Sequence, residues 1–247
     1  MTLLRLDCLN KRFGSLVVTD DVNLEIAAGE RHVIIGPNGA GKTSLVNQIG
    51  GQLKPSSGRI LLKDRDITGS PPHRISQAGV ARTFQRNNLF QNLSVVENLR
   101  LALEVRHGNP LQFFQPVSRN AGLIEQAAAL MAQVHLDGDG ARLVRNLSYG
   151  EQRQLEIAVA LAGAPELLLL DEPTSGMSPT ETARMIELIA TLPRTLAILM
   201  IEHDMKVVFS VADRITVLYY GKVLATGAPL DIQGNARVRE VYLGIAA

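Results

Sequence analysis

The chain has 247 residues, of which 46% are hydrophobic, and a formal net charge of +1. This length suits one large α/β domain with a buried core, and the near-neutral charge gives no reason to expect nucleic acid or an anionic membrane surface as a partner. Cys8 is the single cysteine, which excludes an intrachain disulfide and a zinc cluster. We find no signal peptide, and no apolar run approaches the roughly 20 residues that a membrane-spanning helix needs.

Two alternating apolar patterns begin the chain and predict half-buried β-strands. The alternating residues are Leu4, Leu6 and Cys8 in the first pattern and Val22, Leu24 and Ile26 in the second. The alternation predicts that Cys8 is a small buried residue. Phe13 lies between the patterns, where we interpret it first as an edge residue that covers apolar surface and alternatively as an aromatic platform for adenine.

A glycine-rich loop follows the next predicted strand and opens a helix. It reads GPNGAGKT and fits the phosphate-binding pattern G-x-x-x-x-G-K-[ST]. Glycines let the backbone turn tightly and aim N–H groups at phosphate oxygens, and the helix adds the positive end of its dipole. The alternative is a glycine-rich turn that carries a lysine by chance, but the flanking strand and helix favour nucleotide binding. The nucleotide-binding residues predicted here are Gly36, Pro37, Asn38, Gly39, Ala40, Gly41, Lys42, Thr43 and Ser44.

Two side chains of this loop are suited to a nucleoside triphosphate and its metal ion. Lys42 provides a positive charge for the β- and γ-phosphates. The hydroxyl of Thr43 can ligate Mg²⁺.

The pattern changes from strand to helix in the middle of the chain. Residues 80–85 read as a strand that ends in Gln85, a residue type that at such a place is usually only a polar loop residue. Ser94 and Glu97 form a capping box at the start of a helix. A second helical stripe consists of Leu123, Ala127, Leu130, Met131 and Val134. We interpret residues 88–147 as a helical subdomain inserted into the α/β core.

The segment LSYGEQ predicts another helix start. Ser148 and Glu151 have the spacing of a capping box. A helix N-terminus with a serine and Gly150 beside it is also an anion site, and the sequence alone does not decide whether that site is used.

Two later strands end in polar residues. Residues 167–170 are four leucines without alternation, which predicts a strand buried on both faces of a parallel sheet, and Asp171 and Glu172 follow it. Beside a phosphate-binding loop, an apolar strand that ends in aspartate is the expected partner for Mg²⁺, although a polar end of a core strand is the alternative. The strand 196–201 ends near His203, for which both a structural role and a γ-phosphate contact stay open.

The remaining signals are local. Ser178, Pro179 and Glu181 form a further helix start, with a serine cap and a proline in the first helical position. Residues 215–226 predict a β-hairpin that turns at Gly221, and residues 235–243 predict a short closing helix.

These motifs, in this order, resemble the ATP-binding cassette of ABC transporters. They are the loop GPNGAGKT, the TFQ that ends at Gln85, the signature LSYGEQ, the strand LLLLDEP and the histidine of IEHD. Kinases and G-proteins lack the signature. The resemblance covers almost the whole chain and implies one α/β P-loop NTPase domain over residues 1–247. Its expected parts are a mixed core sheet, an N-terminal antiparallel β subdomain, a helical subdomain at roughly 88–147 and a signature helix at 148–163.

The family implies an ATP site that two cassettes complete together, paired head to tail. By motif, the catalytic residues would be Lys42, Gln85, Glu172 and His203, and the Mg²⁺ residues would be Thr43, Gln85 and Asp171. In these roles Lys42 would hold the β- and γ-phosphates, Glu172 would activate the attacking water and His203 would contact the γ-phosphate.

The second subunit would bind the same γ-phosphate through Ser148, Gly150 and Glu151, and Phe13 would stack on adenine. Two residues depart from the family pattern. Tyr149 replaces the usual second glycine of the signature, where a positive φ would strain tyrosine. Ser178 stands where the family usually has aspartate.

The family also implies partners and a location. They are a second ATPase subunit, transmembrane permease subunits and, indirectly, a substrate-binding protein, at the cytoplasmic face of the membrane. The signature tyrosine, the EIA after it and the closing VYLG resemble importers of branched-chain amino acids, with urea and amide importers as relatives. The alternatives are a lipopolysaccharide-export ATPase, a soluble cassette acting on ribosomes or DNA, and a small-molecule kinase.

Overall fold

The computed structural model describes residues 1–83, 89–107 and 121–243. The strands are β1 (Thr2–Phe13), β2 (Leu16–Ala27), β3 (Arg31–Ile35), β4 (Ser57–Leu62), β5 (Arg65–Asp66), β6 (Val80–Arg82), β7 (Leu167–Asp171), β8 (Ala197–Ile201), β9 (Arg214–Tyr219) and β10 (Lys222–Gly227). The helices are α1 (Lys42–Ile49), α2 (Pro72–Gln77), α3 (Val95–His107), α4 (Ala121–Gln133), α5 (Tyr149–Leu161), α6 (Pro179–Thr191), α7 (Met205–Val211), α8 (Pro229–Gly234) and α9 (Ala236–Leu243).

The chain divides into two compact units. The first consists of Met1–Arg82, Glu166–Pro173 and Pro193–Ala247, and the second consists of Thr83–Pro165 and Thr174–Leu192. Both sheets belong to the first unit, whereas helices α3 to α6 belong to the second.

A six-stranded mixed sheet forms the centre of the first unit. Its order is β10-β9-β3-β8-β7-β6, and every neighbouring pair is parallel except β10 with β9. Every residue of β3, β7 and β8 is buried, because helices and the second sheet cover parallel strands on both faces. The prediction of an α/β fold with a mixed core sheet is confirmed, as is the buried strand of leucines.

The second sheet of this unit is antiparallel, in the order β2-β1-β4-β5. The prediction that Cys8 is buried is wrong: its side chain is exposed. Cys8 has a φ of 48°, and the β1–β2 register shifts between Leu6 and Leu9. The irregularity interrupts the two-residue alternation, so that Leu9 takes the next buried position. A hydrogen bond to Asp21 and the charge of that carboxylate raise the pKa of the Cys8 thiol.

Capping boxes open three helices of the second unit, as predicted. In each, the serine hydroxyl accepts the backbone N–H of the glutamate, and the glutamate carboxylate accepts the N–H of the serine. The pairs are Ser94 with Glu97 at α3, Ser148 with Glu151 at α5 and Ser178 with Glu181 at α6. Local sequence alone therefore determines where these helices begin.

The hairpin near the C-terminus is also confirmed. Strands β9 and β10 pair antiparallel and turn through Tyr220 and Gly221, both at positive φ. The closing helix is α9. Among the described helices, none is long and apolar enough to cross a membrane.

Candidate functional site

Polar groups follow three neighbouring strands of the mixed sheet at one edge. Strand β8 lies between β3 and β7, and all three run parallel. The glycine-rich loop follows β3, Asp171 ends β7 with Glu172 after it, and His203 follows β8. Carboxyl ends of parallel strands meet at one edge, which is where such sheets bind ligands. The topology therefore brings the predicted phosphate, metal and γ-phosphate residues of the first unit together.

Close backbone contacts fix the glycine-rich loop. A Cβ on Gly36 would lie 2.2 Å from the carbonyl oxygen of Leu218, and a Cβ on Gly41 would lie 2.1 Å from that of Val18. Any larger residue would therefore displace the loop. Ala40 also accepts a hydrogen bond at 3.0 Å from the N–H of Gly221 in the β9–β10 turn. The loop is thus held in place by both neighbouring hairpins before any ligand arrives.

Helix α1 begins directly after this loop, and its N-terminus is the candidate position for an anion. Its N-cap residue, Gly41, has a φ of 99° and supplies no side-chain cap. The first N–H groups of a helix have no intrahelical partner, so those of Lys42, Thr43 and Ser44 lie at the positive end of the helix dipole. Thr43 and Ser44 are half-buried here.

Lys42 lies folded against the loop. Its side chain is buried, and Nζ donates to the carbonyl oxygens of Gly36 at 2.8 Å and Pro37 at 3.1 Å. Burial lowers the pKa of Lys42, while the negative charges of Glu172 and Asp171 act in the opposite direction. The ammonium group therefore carries a charge that the loop only partly satisfies, and an anion bound there would stabilise it further.

Arg82, at the end of β6, connects Asp171 to helix α1. Its Nη2 donates to Asp171 Oδ2 at 3.2 Å, and its Nη1 donates to Asn47 Oδ1 at 2.6 Å. The Asp171 side chain is fully buried. Burial raises the pKa of Asp171, and the charge of Arg82 acts against that rise.

The second carboxylate oxygen of Asp171, Oδ1, is buried and has no hydrogen-bond partner in the described part of the chain. A buried oxygen of this kind is a suitable ligand for a hard cation such as Mg²⁺. Among the described residues, no group of three or more histidine, cysteine, aspartate or glutamate side chains could hold a metal ion without help. Asp171 Oδ1 is therefore a candidate ligand for a metal ion whose other ligands would come from elsewhere, such as phosphate oxygens.

We expect Arg82→Met to lower the free energy of unfolding by about 3 kcal/mol, because it leaves the buried Asp171 charge without its partner. Urea denaturation at pH 7 measures this. The difference in unfolding free energy between the variant and the parent should become smaller as the pH falls. Protonation of a carboxyl whose pKa is raised in the folded state stabilises the folded protein. Arg59→Met is the control: Arg59 pairs with Asp7 at 3.3 Å but is 63% exposed, and its loss should remove less than about 0.5 kcal/mol. Equal losses of unfolding free energy in Arg82→Met and Arg59→Met would contradict the stabilising role of the buried Arg82–Asp171 pair.

Glu172 and His203 contact each other at the same edge. The Nε2 atom of His203 is hydrogen-bonded to Glu172 Oε1. An ionised carboxylate only accepts, so the histidine donates from Nε2. Glu172 has a φ of 51°, a left-handed conformation that is strained for a glutamate and that clusters at functional sites. Its side chain is 26% exposed, so solvent can reach the carboxylate.

Phe13 lies at the end of β1 on the hairpin whose second strand contacts the loop through Val18. Phe13 is 50% exposed, and Lys11 Nζ lies over its ring, 4.8 Å from the centroid. Gln85 lies outside the described residues.

The N-terminus of α5 belongs to the second unit. Glu151 Oε2 accepts the N–H of Ser148 at 2.6 Å, and Arg142 Nη1 donates to Glu151 Oε1 at 3.0 Å. Tyr149 is the first helical residue and does not have a positive φ, so the departure from glycine causes no backbone strain. Its hydroxyl accepts from Arg153 Nη2 at 2.8 Å, one turn further along the helix.

Sequence patterns did not reveal two contacts of the site residues. One is Arg82 with Asp171, whose only signal was the place of the arginine near a strand end. The other joins residues 31 positions apart: Gly150 donates its N–H to Glu181 Oε1 at 3.0 Å. A helix-start motif had assigned Glu181 a capping role alone.

The chain was compared with known proteins. The family model described as "ABC transporter" matches residues 19–175, and the one described as "Branched-chain amino acid ATP-binding cassette transporter" matches residues 222–247. The high-affinity branched-chain amino acid transport ATP-binding protein LivG of Escherichia coli (strain K12) is 42% identical, with 99% of this chain and 98% of LivG covered. The corresponding BraF of Pseudomonas aeruginosa is 40% identical with the same coverage. A crystal structure of the ADP conformation of MJ1267, an ATP-binding cassette of an ABC transporter, is 28% identical, with 99% of this chain and all of that chain covered at a TM-score of 0.88.

Proposed function

Because this chain belongs to the ABC transporter family of ATP-binding cassettes, we propose that it hydrolyses ATP to drive the import of branched-chain amino acids or similar small polar substrates. The observation that carries this proposal is the C-terminal match. Residues 222–247 fit the branched-chain amino acid family, and LivG and BraF align over nearly their whole length. Substrate does not contact a cassette of this kind, so the substrate class rests on these likenesses.

In the proposed site the phosphates of ATP lie against the loop from Gly36 to Ser44. The loop backbone and the first turn of α1 donate N–H groups, and Lys42 leaves its carbonyl partners to bind the β- and γ-phosphates. Close backbone contacts at Gly36 and Gly41 hold the loop in one conformation, which reduces the entropy that it would lose on binding. Phe13 stacks on the adenine ring.

Mg²⁺ supplies neutralisation of the developing phosphate charge in such sites. The residues that would hold it are Thr43, Gln85 and Asp171, with Asp171 offering the buried Oδ1. Arg82 keeps the other oxygen, Oδ2, occupied and thereby fixes the orientation of the carboxylate.

Glu172 is the proposed general base. Its carboxylate takes a proton from the attacking water, and the hydrogen bond from His203 holds it in place. Positioning and charge stabilisation account for most of the catalysis of phosphoryl transfer, so the pair acts mainly by orienting the water and the γ-phosphate.

The proposed site is complete only when a second cassette contributes the N-terminus of its α5. Ser148, Gly150 and Glu151 of that copy would face the γ-phosphate, since the N-terminus of a helix is the positive end of its dipole and favours an anion. Hydrolysis would then depend on closure of two subunits. Permease subunits, which receive this motion through the helical subdomain at 88–147 and Gln85, would hold the chain at the cytoplasmic face of the membrane, with a substrate-binding protein as an indirect partner.

Reconstitution tests the proposal. The chain and the membrane proteins that co-purify with it are placed in proteoliposomes, and ATP-dependent uptake of labelled leucine is measured against labelled urea. Uptake of leucine supports the proposal. Uptake of urea without leucine would instead assign the chain to the urea importers. Co-purification with lipopolysaccharide-export components or with ribosomes, instead of a permease, would overturn the proposed function.

A further inference from the structure

The carboxylate of Glu181 joins the N-termini of two helices in the second unit. Its Oε1 accepts the N–H of Gly150 in α5 at 3.0 Å, and its Oε2 accepts the N–H and the hydroxyl of Ser178, at 3.0 and 2.8 Å, at the start of α6. Those bonds from Ser178 and Gly150 lower the pKa of Glu181 to about 2, so the group is ionised at neutral pH.

Gly150 is the second residue of α5, and its N–H is one of the donors that the capping box does not use. The Ser148 hydroxyl already accepts the N–H of Glu151 at 3.2 Å. A Cβ on Gly150 would come within 2.8 Å of Glu181 Oε1 and 2.9 Å of its Cγ, so only glycine admits the carboxylate at this distance. The contact between the negatively charged Glu181 carboxylate and the N-terminus of α5 therefore depends on the absence of a side chain at Gly150.

The contact matters for the ATP site that two copies would complete, and the inference from it rests on the function proposed above. The γ-phosphate of an ATP bound to another copy would approach the N-terminus of α5 and accept a hydrogen bond from the same Gly150 N–H. Two anions at one N–H compete for the same hydrogen and repel each other when they lie side by side. The phosphate therefore competes with the Glu181 carboxylate for this position.

We propose that Glu181 is a positioning residue that holds the Gly150 N–H in the open chain and is displaced by the γ-phosphate of the partner's ATP. The group acts as a latch: it keeps α5 aligned with α6 before closure and opposes closure until a full triphosphate competes with it. The Ser178 contact through Oε2 can persist when Oε1 is displaced, so α6 stays capped.

The test uses Glu181→Gln in the whole chain with its co-purifying subunits, in a Glu172→Gln background in which slow ATP turnover is expected. The single carbonyl oxygen of glutamine can accept from the Ser178 N–H or from the Gly150 N–H but not from both, and it carries no negative charge that would repel phosphate. The ATP concentration for half-maximal retention of nucleotide by the closed assembly should fall about five-fold, the difference between a charged and a neutral hydrogen bond. Glu97→Gln, in the capping box of α3, is the matched control and should not change this concentration.

A second measurement concerns the open chain alone. Without nucleotide, the Gly150 amide should exchange its hydrogen about ten-fold faster in Glu181→Ala than in the parent, because its acceptor is gone. An unchanged or higher ATP requirement in Glu181→Gln would overturn the latch alone. If the Glu172→Gln parent retains no ATP at any concentration, the two-copy site fails and the latch with it.

Discussion

Glu172→Gln is expected to lower ATP turnover by about 10³-fold, the usual contribution of a general base, while ATP binding stays close to that of the parent. Glutamine has nearly the same volume and its Oε1 can still accept from His203, so the hydrogen bond seen at this edge survives. What is lost is the ability to take a proton from water. Phosphate release under saturating ATP measures the turnover, and binding of a fluorescent ATP analogue measures the affinity.

Glu166→Gln is the matched control for this experiment. Glu166 precedes the same strand, β7, and pairs with Lys63 at the opposite end of the sheet. This substitution should leave turnover within about two-fold of the parent, because an exposed ion pair contributes little. Turnover at the parental rate in Glu172→Gln would remove Glu172 from its proposed role.

Lys42→Met is expected to weaken ATP binding by about 100-fold, the loss of one to two charge-assisted hydrogen bonds to phosphate. The methionine matches the length of the aliphatic stem, so the buried pocket stays filled and folding should be retained. Equilibrium binding of ATP, with AMP as the comparison, measures the effect. Since AMP lacks β- and γ-phosphates, its affinity should change little.

Lys63→Met provides the control for Lys42→Met. Lys63 is 46% exposed and lies beside β4, away from the loop. Equal losses of affinity for ATP and AMP in Lys42→Met would indicate a collapsed loop instead of a lost phosphate contact. Thermal unfolding of both variants separates these two results.

Much of this protein could be predicted from local patterns. The glycine-rich loop between β3 and α1, the three capping boxes and the buried strand of leucines each depend on residues within a few positions of one another. Hydrogen bonds at a helix start and burial of an apolar strand depend on residues that are close in the sequence, so the sequence was sufficient to predict them. The family order of the motifs then indicated an ATP-binding cassette, and the comparisons confirm it.

The sequence by itself thus determined most of the strands and longer helices, their order and the chemical types present at the site, but not the short elements β5, α2, α7 and α8. Only the tertiary structure decided that an irregularity in β1 exposes Cys8, that Arg82 holds one oxygen of Asp171 and that Glu181 occupies the Gly150 N–H. Each of these depends on groups that are distant in the chain or on a register shift that no periodicity records. Charge pairs and donor–acceptor contacts act over a few ångströms in space, and neighbours in space are set by how strands and helices pack.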